Sequence, residues 1–369
     1  MVKVLRFFRE KKPWSRYKDL ILDYYLTPYL AKVATLNKPI LVVDCFAGPG
    51  KFDDGELGSP LIIARRLQEL HLHGIKVLGF FIEDNSVLHA RLLENTATLP
   101  IPVVVRQGSF RDHVSEISQI AQSHTVFVYL DPIKPSDLHF DDLRCVYDQL
   151  KAGQSVETLI NFPSRNFLRA VWSFRHHVLQ EGAVDTGSVR KWNSIAGGSY
   201  WQQIAFYMQA PTKEKTDMLA EGYADQLHKW FRYVLTYPIR KAYKDEFPKY
   251  HLIFGSRSPD AVDLMNRGMV QARRRFLGAQ FKSGRLFNMQ PEEEDVDAEE
   301  IQQAVIEAAK KTDKTTWRLL RVNATLARPC MYTDSEFNQA IKAAIKSGRL
   351  ASNSAGEKIE DNAIVWLPS

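Results

Sequence analysis

An apolar run that ends in an acid and a glycine turn stands near the start of the chain, in the sequence ILVVDCFAGPG from Ile40 to Gly50. Such a run predicts a parallel strand that is covered on both faces. The turn after Phe46 contains Gly48 and Gly50, which let a backbone bend tightly and approach a ligand closely. Asp44 places a carboxylate at the strand end, where open α/β sheets bind ligands. The segment therefore predicts a binding edge for a nucleotide-like ligand.

Four more polar side chains follow later apolar runs. Glu83 ends the run GFFIE, where a carboxylate would accept hydrogen bonds from vicinal ribose hydroxyls. Ser109 follows the next run, in QGSF, and would flank an adenine ring. Asp131 in YLDP and Asn161 in INFP follow two further runs, where each would orient a substrate. We expect these side chains to lie at the same sheet edge as Asp44.

These polar residues also have purely structural interpretations. Glu83 would then be a solvated loop acid, and Asp131 would cap the turn that follows it. Asn161 would satisfy the backbone of a turn at the strand end. The sequence favours the ligand-binding interpretation of Glu83, because that acid follows an almost entirely apolar strand.

Strand-like and helix-like segments alternate through the first half of the chain. Those rich in Val, Ile, Phe and Tyr predict strands over Ile40–Ala47, Val77–Asp84, Pro102–Gly108, Thr125–Pro132, Val156–Pro163, Phe231–Arg240 and Tyr250–Arg257. Helices are predicted between the first five, over Pro60–Leu72, Ser86–Thr98, Arg111–Gln122 and Leu138–Leu150. Such alternation is typical of parallel βαβ units.

The last two strand candidates are joined only by Lys241–Lys249, which is too short for a helical crossover. They should therefore form an antiparallel hairpin. Five parallel strands followed by such a hairpin give a seven-stranded, Rossmann-like α/β sheet, which resembles the fold of S-adenosylmethionine-dependent methyltransferases.

Three segments extend this plan. Residues 164–230 predict a helical insertion, which would build a substrate site or cap the core. Tyr17–Leu36 predicts a helix interrupted near Pro28. Ser59 and Pro60 predict the cap and first residue of a helix that Lys51–Leu57 separates from the glycine turn. This delayed helix start would bind an anion or form a lid.

The C-terminal part predicts a separate small domain. Residues 1–287 would form the α/β domain, 288–300 an acidic linker and 301–369 three helices followed by a hairpin. Thr333 and Glu336 predict a capping box for the last helix, and Gly348 its end. This order resembles a winged-helix domain, which would bind nucleic acid or dock a protein.

The composition narrows the class of protein. The net charge of +6 is compatible with nucleic acid, and 45% hydrophobic residues are ordinary for a globular chain. Cys45, Cys145 and Cys330 are too widely spaced to predict a disulfide framework or a zinc site. No apolar run is long enough to span a membrane, and the basic N-terminus lacks a signal-peptide core, so we expect a cytoplasmic protein with no membrane partner.

The ordered set of motifs resembles the three-Cys-motif partner protein family over about residues 10 to 275. The matching strings are the early helix from Trp14 to Lys18, VVDCFAGPG, the delayed GSP, FIEDN, YLDP, LINFP and YHLIFGSRS. Typical members have D-P-F-G after the fourth strand, whereas this chain has Ile133 and Lys134 after Asp131 and Pro132. The resemblance implies a partner protein with a three-cysteine motif, similar to radical-S-adenosylmethionine proteins.

Three functional hypotheses follow. The first is an S-adenosylmethionine-dependent methyltransferase acting on nucleic acid. Its cofactor residues would be Asp44, Phe46, Gly48, Gly50, Glu83 and Ser109, and its acceptor residues Asp131 and Asn161. The second is a non-catalytic scaffold with the same fold that binds nucleic acid or the partner. The third is a metal-dependent nuclease that uses Asp44, Glu83 and Asp131.

Overall fold

The computed structural model describes residues 7–173, 187–210, 212–241, 245–283, 297–354 and 361–368. The chain forms two compact units, which divide between Arg257 and Ser258. Residues 174–186 of the predicted insertion lie outside the described residues, as do residues 288–296 of the predicted linker. Within the described part, no helix is both long and apolar enough to cross a membrane.

The first unit is built on one seven-stranded sheet. Its strands are β1 (Ile40–Asp44), β2 (Val77–Glu83), β3 (Val103–Gln107), β4 (Thr125–Leu130), β5 (Val156–Phe162), β6 (Tyr233–Ile239) and β7 (Tyr250–Ser256). They lie in the order β3-β2-β1-β4-β5-β7-β6, and β7 runs opposite in direction to the other six strands. This confirms the predicted seven-stranded Rossmann-like fold with its antiparallel hairpin.

Eight longer helices accompany the sheet within the described residues. They are α1 (Pro13–Ala34), α2 (Ser59–His71), α3 (Ser86–Thr96), α4 (Phe110–Ala121), α5 (Phe140–Tyr147), α6 (Ser164–Trp172), α7 (Gly187–Ala196) and α8 (Thr212–Leu227). Shorter helical turns occupy Pro135–Asp137, Tyr200–Gln202 and Gln203–Tyr207.

Two local predictions for these helices are wrong. Helix α1 is continuous through Pro28, because Tyr25, Leu26, Tyr29 and Leu30 around that residue are buried and hold the helix together by packing. Helix α2 takes Gly58 rather than Ser59 as its N-cap, so that Ser59 is already helical.

The described part of the insertion caps the sheet. Trp192 of α7 and Trp201 are buried in the same apolar cluster as Phe162 of β5. Phe167 of α6 contacts both tryptophan rings edge-on, at centroid distances of 4.9 and 6.2 Å. Of the two roles considered for this segment, its large aromatic side chains therefore serve the core.

The second unit has its own core and a small sheet. Its elements are α9 (Pro259–Ser283), α10 (Ala298–Lys310), β8 (Lys314–Thr316), α11 (Trp317–Ala327), α12 (Asp334–Lys346), β9 (Ala351–Ser352) and β10 (Ile364–Trp366). The strands pair antiparallel in the order β8-β10-β9. Thr333 and Glu336 form the predicted capping box of α12.

Helix α9 belongs to this second unit, whereas the sequence assigned it to the first domain. Its buried Asp263 pairs with Arg321 of α11, with oxygen–nitrogen distances of 2.8 and 3.1 Å. Its buried Asn266 donates to the Tyr332 carbonyl and accepts from the Cys330 N–H, both at 2.7 Å. The predicted boundary at residue 287 therefore differs from the structural division at Arg257.

Candidate functional site

The glycine turn after β1 has the tight, left-handed backbone for which glycine is suited. Gly48 has φ +64° and Gly50 has φ +78°. Both angles lie in the left-handed region, where any residue with a Cβ is strained. The amide of Ala47 donates to the Ile82 carbonyl of β2 at 2.8 Å. The turn is therefore anchored to the neighbouring strand at the edge where the sequence predicts a ligand.

Glu83 at the end of β2 is almost fully buried beside this turn. Its Oε2 accepts the Gly48 N–H at 2.8 Å, and its Oε1 accepts the Asn85 N–H at 2.9 Å. Burial raises the pKa of Glu83 to about 7, against the opposing effect of the Asn85 N–H. The two N–H donors thus fix the Glu83 carboxyl group in place beside the turn.

Asp44 at the end of β1 is completely buried and incompletely bonded. One oxygen accepts the Phe46 N–H at 3.1 Å, while Oδ2 has no hydrogen-bond partner among the described residues. Burial raises the pKa of Asp44 to about 7, although the nearby Ser59 hydroxyl opposes this rise. A buried polar atom without a partner is uncommon in folded proteins and indicates a place for a missing donor.

Asp131 and Asn161 contact each other at the carboxyl ends of β4 and β5. The Asn161 amide donates to Asp131 Oδ1 at 2.8 Å and lies 3.1 Å from the Tyr129 hydroxyl. Its own carbonyl oxygen is buried without a partner among the described residues. The two side chains predicted to hold an acceptor therefore form one cluster.

The sequence did not assign Lys18 of α1 to this cluster. The Lys18 ammonium is buried and forms an ion pair with Asp131. Burial opposes its charge, but Asp131 and Asp19 outweigh that effect and raise the pKa of Lys18. The only signal for it was the Trp14 to Lys18 string, since nothing local specifies which side chain of α1 reaches the strand ends.

The N-terminal segment and the loop before α2 cover the glycine turn. Phe8 packs with Phe52 and Leu88 in a small apolar cluster, and its ring lies 3.0 Å from where a Cβ on Gly48 would be. The Phe8 carbonyl accepts the Asp53 N–H at 2.9 Å. The loop residues therefore form a cover over one side of the turn, consistent with the predicted lid.

Ser109 lies at the N-cap of α4 rather than in the buried cluster. Its amide and its hydroxyl both donate to Asp112 Oδ2, at 2.8 and 2.7 Å. The structure therefore gives Ser109 a capping role. Phe46, which follows β1 two residues after Asp44, is half-buried. The remaining candidates lie at the carboxyl ends of neighbouring strands, with Gly48, Gly50 and Glu83 around the glycine turn and Asp131 in contact with Asn161. Asp44 lies between them, close enough to Asp131 for that acid to act on its pKa.

The acids of this edge do not form a metal site within the described ranges. No group of three His, Cys, Asp or Glu side chains there is arranged to hold a metal ion. Glu83 and Asp131 instead take N–H donors and an ammonium group. The nuclease hypothesis gains no support from this geometry.

Comparison with known proteins gives only distant likenesses. No protein-family model and no curated protein matches the chain. One similar solved structure is that of a caffeoyl-CoA O-methyltransferase from Staphylococcus aureus, described as putative. It is 12% identical with a TM-score of 0.30, and the match covers 62% of this chain and 82% of the other chain.

Two further solved structures are similarly distant. The plantazolicin methyltransferase BamL, in complex with an analog and SAH, is 11% identical, with 70% and 91% coverage and a TM-score of 0.29. A Zn-dependent alcohol dehydrogenase, also described as putative, from Rhodobacter sphaeroides is 12% identical, with 65% and 99% coverage and a TM-score of 0.27. At these TM-scores the likenesses assign no ligand and no reaction to this chain.

Proposed function

We propose that this protein is an S-adenosylmethionine-dependent methyltransferase. The observation that carries the proposal is the grouping of Gly48, Gly50, Asp44 and Glu83 at one strand edge of a methyltransferase-type sheet. The Asp44 oxygen without a described partner and the fixed Glu83 carboxylate can each accept a hydrogen bond. This fits a cofactor that carries an amino group and hydroxyl groups.

Each residue of this edge has a separate part in binding. The glycine turn and Asp44 would hold the methionine portion, while Glu83 accepts the ribose hydroxyls. The cofactor supplies a methyl group on a sulfonium, which is already a strong electrophile. The protein therefore contributes mainly by positioning the cofactor and the acceptor and by excluding water. The cover formed by Phe8 and Phe52 would exclude water from the turn.

The acceptor would be held by Asp131 and Asn161. The Asn161 carbonyl oxygen, buried without a described partner, suits an amino or hydroxyl donor of the acceptor. The Lys18 ammonium forms an ion pair with Asp131, and the Asp131 carboxylate would orient the acceptor by accepting a hydrogen bond. Ile133 follows in place of an aromatic residue, so stacking on the acceptor must come from elsewhere.

We further propose that the substrate is nucleic acid and that a three-cysteine-motif protein is the partner in the cytoplasm. The second unit supports a nucleic-acid role, since its helices α10, α11 and α12 with strands in the order β8-β10-β9 resemble a winged-helix domain. The net charge of +6 agrees with a polyanionic substrate.

Calorimetric titration with S-adenosylmethionine and with its demethylated product tests the cofactor. We expect binding by the wild type and its loss in Asp44→Ala and Glu83→Ala. Glu94→Ala, an exposed acid of α3, is the matched control and should bind normally. Wild-type protein that binds neither compound would overturn the proposal.

The scaffold hypothesis is the second candidate. It is favoured by the Phe8 ring beside Gly48 and by the Lys18–Asp131 pair, because both occupy positions that a ligand would need. It predicts co-purification with a cysteine-cluster partner and no cofactor affinity even in Phe8→Ala. Cofactor binding that appears or strengthens in Phe8→Ala would instead favour the enzyme with a movable cover.

A further inference from the structure

Three cations lie together at the strand edge beyond the Lys18–Asp131 pair. Arg165 follows β5 in the first turn of α6, Lys241 follows β6, and Lys249 precedes the antiparallel β7. The topology brings these three positions to the edge that also carries Asp131. The Lys249 N–H donates to the Ile239 carbonyl at 2.7 Å, which fixes the two ends of the hairpin against each other.

Aromatic rings hold these cations in place. The Lys249 and Lys241 ammonium groups lie 4.7 and 5.7 Å from the centroid of the same Trp14 ring. The Arg165 guanidinium lies 5.6 Å from the Phe247 centroid. Cation–π contacts of this kind position a charge without neutralising it.

The described part of the chain shows no ion pair between these cations and an acid. Among the described residues, no carboxylate lies within ion-pair distance of Arg165, Lys241 or Lys249. Burial, Lys241 and Arg165 lower the pKa of Lys249, so these positive charges repel one another. Asp245 and Glu246 of the same loop are exposed and offset part of this positive charge.

Helix α1 connects this basic patch to the acceptor cluster. Trp14 and Lys18 are four residues apart and so lie on one face of the helix. The Trp14 carbonyl accepts the Tyr250 hydroxyl at 3.1 Å, which ties the helix start to β7. A polymer bound along the cations would therefore pass beside Asp131 and Asn161.

We propose that Arg165, Lys241 and Lys249 bind consecutive phosphates of a nucleic-acid strand whose methyl-accepting group reaches Asp131 and Asn161. The inference rests on the proposed function for the identity of that acceptor group. Ammonium and guanidinium donors on separate elements suit the spaced phosphates of a polymer better than a single small anion. The substrate surface thus lies on the first unit, independently of any binding by the second.

The experiment measures binding of labelled single-stranded DNA, single-stranded RNA and duplex DNA by fluorescence anisotropy over a range of salt concentrations. The test variant is Lys241→Glu with Lys249→Glu. The matched control is Lys38→Glu with Lys76→Glu, since these exposed lysines precede β1 and β2 at the opposite edge. Both double variants change the net charge equally.

We expect the test variant to bind at least one of these nucleic acids about tenfold more weakly, with a salt dependence reduced by about one to two ions. The control should bind like the wild type. The inference is overturned if the wild type binds none of the probes, or if both double variants lose affinity equally. It is also overturned if polyglutamate competes as well as the oligonucleotide, because the patch would then fit an acidic protein.

Titration with S-adenosylmethionine on the same samples separates the two proposals. Cofactor binding with unchanged nucleic-acid affinity in the test variant would refute only the phosphate surface. Absent cofactor binding would refute the methyltransferase, while the anisotropy comparison would still decide the role of the patch. If Lys342→Glu with Lys346→Glu removes the affinity and the test variant does not, the strand is bound by the second unit instead.

Discussion

Buried acids give individual residues of the first unit an unusual dependence on pH. Glu157 of β5 accepts hydrogen bonds from the Tyr25 and Ser256 hydroxyls in the core. Burial raises the pKa of Glu157 from 4.5 to about 7, and Asp44 and Glu83 show rises to the same value. For an acid whose pKa is raised by folding, the folded state binds the proton more tightly than the unfolded state.

The contribution of Glu157 to stability is therefore fully present below about pH 4.5 and is lost as the pH rises through about 7. Between pH 5 and pH 8, we expect the unfolding free energy of the wild type to fall by about 2–3 kcal/mol more than that of Glu157→Gln. Urea denaturation at the two pH values measures this. Glu94→Gln, which changes an exposed acid, should leave the difference intact; the same loss in Glu157→Gln would contradict the assignment.

Single residues also show where sequence patterns stop being informative. The positions of Asp44, Glu83, Asp131 and Asn161 were predictable, because each directly follows an apolar run whose strand ends are locally encoded. Lys18 was not assigned, since its contact with Asp131 joins residues 113 positions apart and depends on how α1 packs. Ser109 was assigned to a ligand, while its nearest donor–acceptor partner is Asp112 in its own helix.

At the scale of elements, a hydrogen-bond chain that is buried at Ser164 and His251 and partly exposed at Asp217 joins α6, β7 and α8. The Ser164 hydroxyl lies 2.7 Å from His251 Nδ1, and His251 Nε2 lies 2.9 Å from Asp217 Oδ1. A serine, a histidine and an acid in series are also found in hydrolases. Here Ser164 is 0% exposed, so its hydroxyl is not accessible as a nucleophile, and the chain connects structural elements.

This role predicts a loss of stability in His251→Ala. The change leaves the buried Ser164 hydroxyl and the Asp217 carboxylate without their shared partner, and we expect a cost of about 2–4 kcal/mol. Asp217→Asn, which keeps a hydrogen-bonding side chain, should cost less than about 1 kcal/mol. Chemical denaturation of both variants decides this, and equal stability of His251→Ala and wild type would exclude a structural role for the chain.

The elements themselves were largely predictable. All seven strands begin and end within three residues of their predicted limits, because short apolar runs bounded by Gly, Pro and Asp determine them locally. The uninterrupted α1 was not predictable in the same way. The cost of Pro28 is local, whereas the burial of Tyr25 and Tyr29 that compensates for it comes from packing on Phe127 of the sheet.

At the scale of the whole molecule, the division at Arg257 changes which segment completes the second unit. The acidic run at 291–300 is the obvious linker in the sequence, and it follows α9. Yet the buried polar groups of α9 are bonded to residues of the second unit, which include Arg321, Cys330 and Tyr332. Charge and composition indicate a linker, but the pairing of Asp263 and Asn266 could not be inferred from either.

A comparison of two fragments tests this division. We expect residues 258–369 to fold with a cooperative thermal transition by circular dichroism, and residues 297–369 to be markedly less stable or unfolded. Without α9, Arg321 loses the Asp263 carboxylate, and the Cys330 N–H and Tyr332 carbonyl lose their Asn266 partner. Each buried group left without a partner costs about 1–3 kcal/mol of unfolding free energy. A unit of roughly 70 residues has little stability to spare for such losses.

The matched single change is Asn266→Ala within the longer fragment, which removes both of its hydrogen bonds but keeps the helix. It should lower the midpoint temperature of the 258–369 fragment without abolishing its folding. If residues 297–369 alone unfold at the same temperature as residues 258–369, then α9 adds nothing to the second unit. In that case the boundary near residue 287, which composition and charge predict, is the correct one.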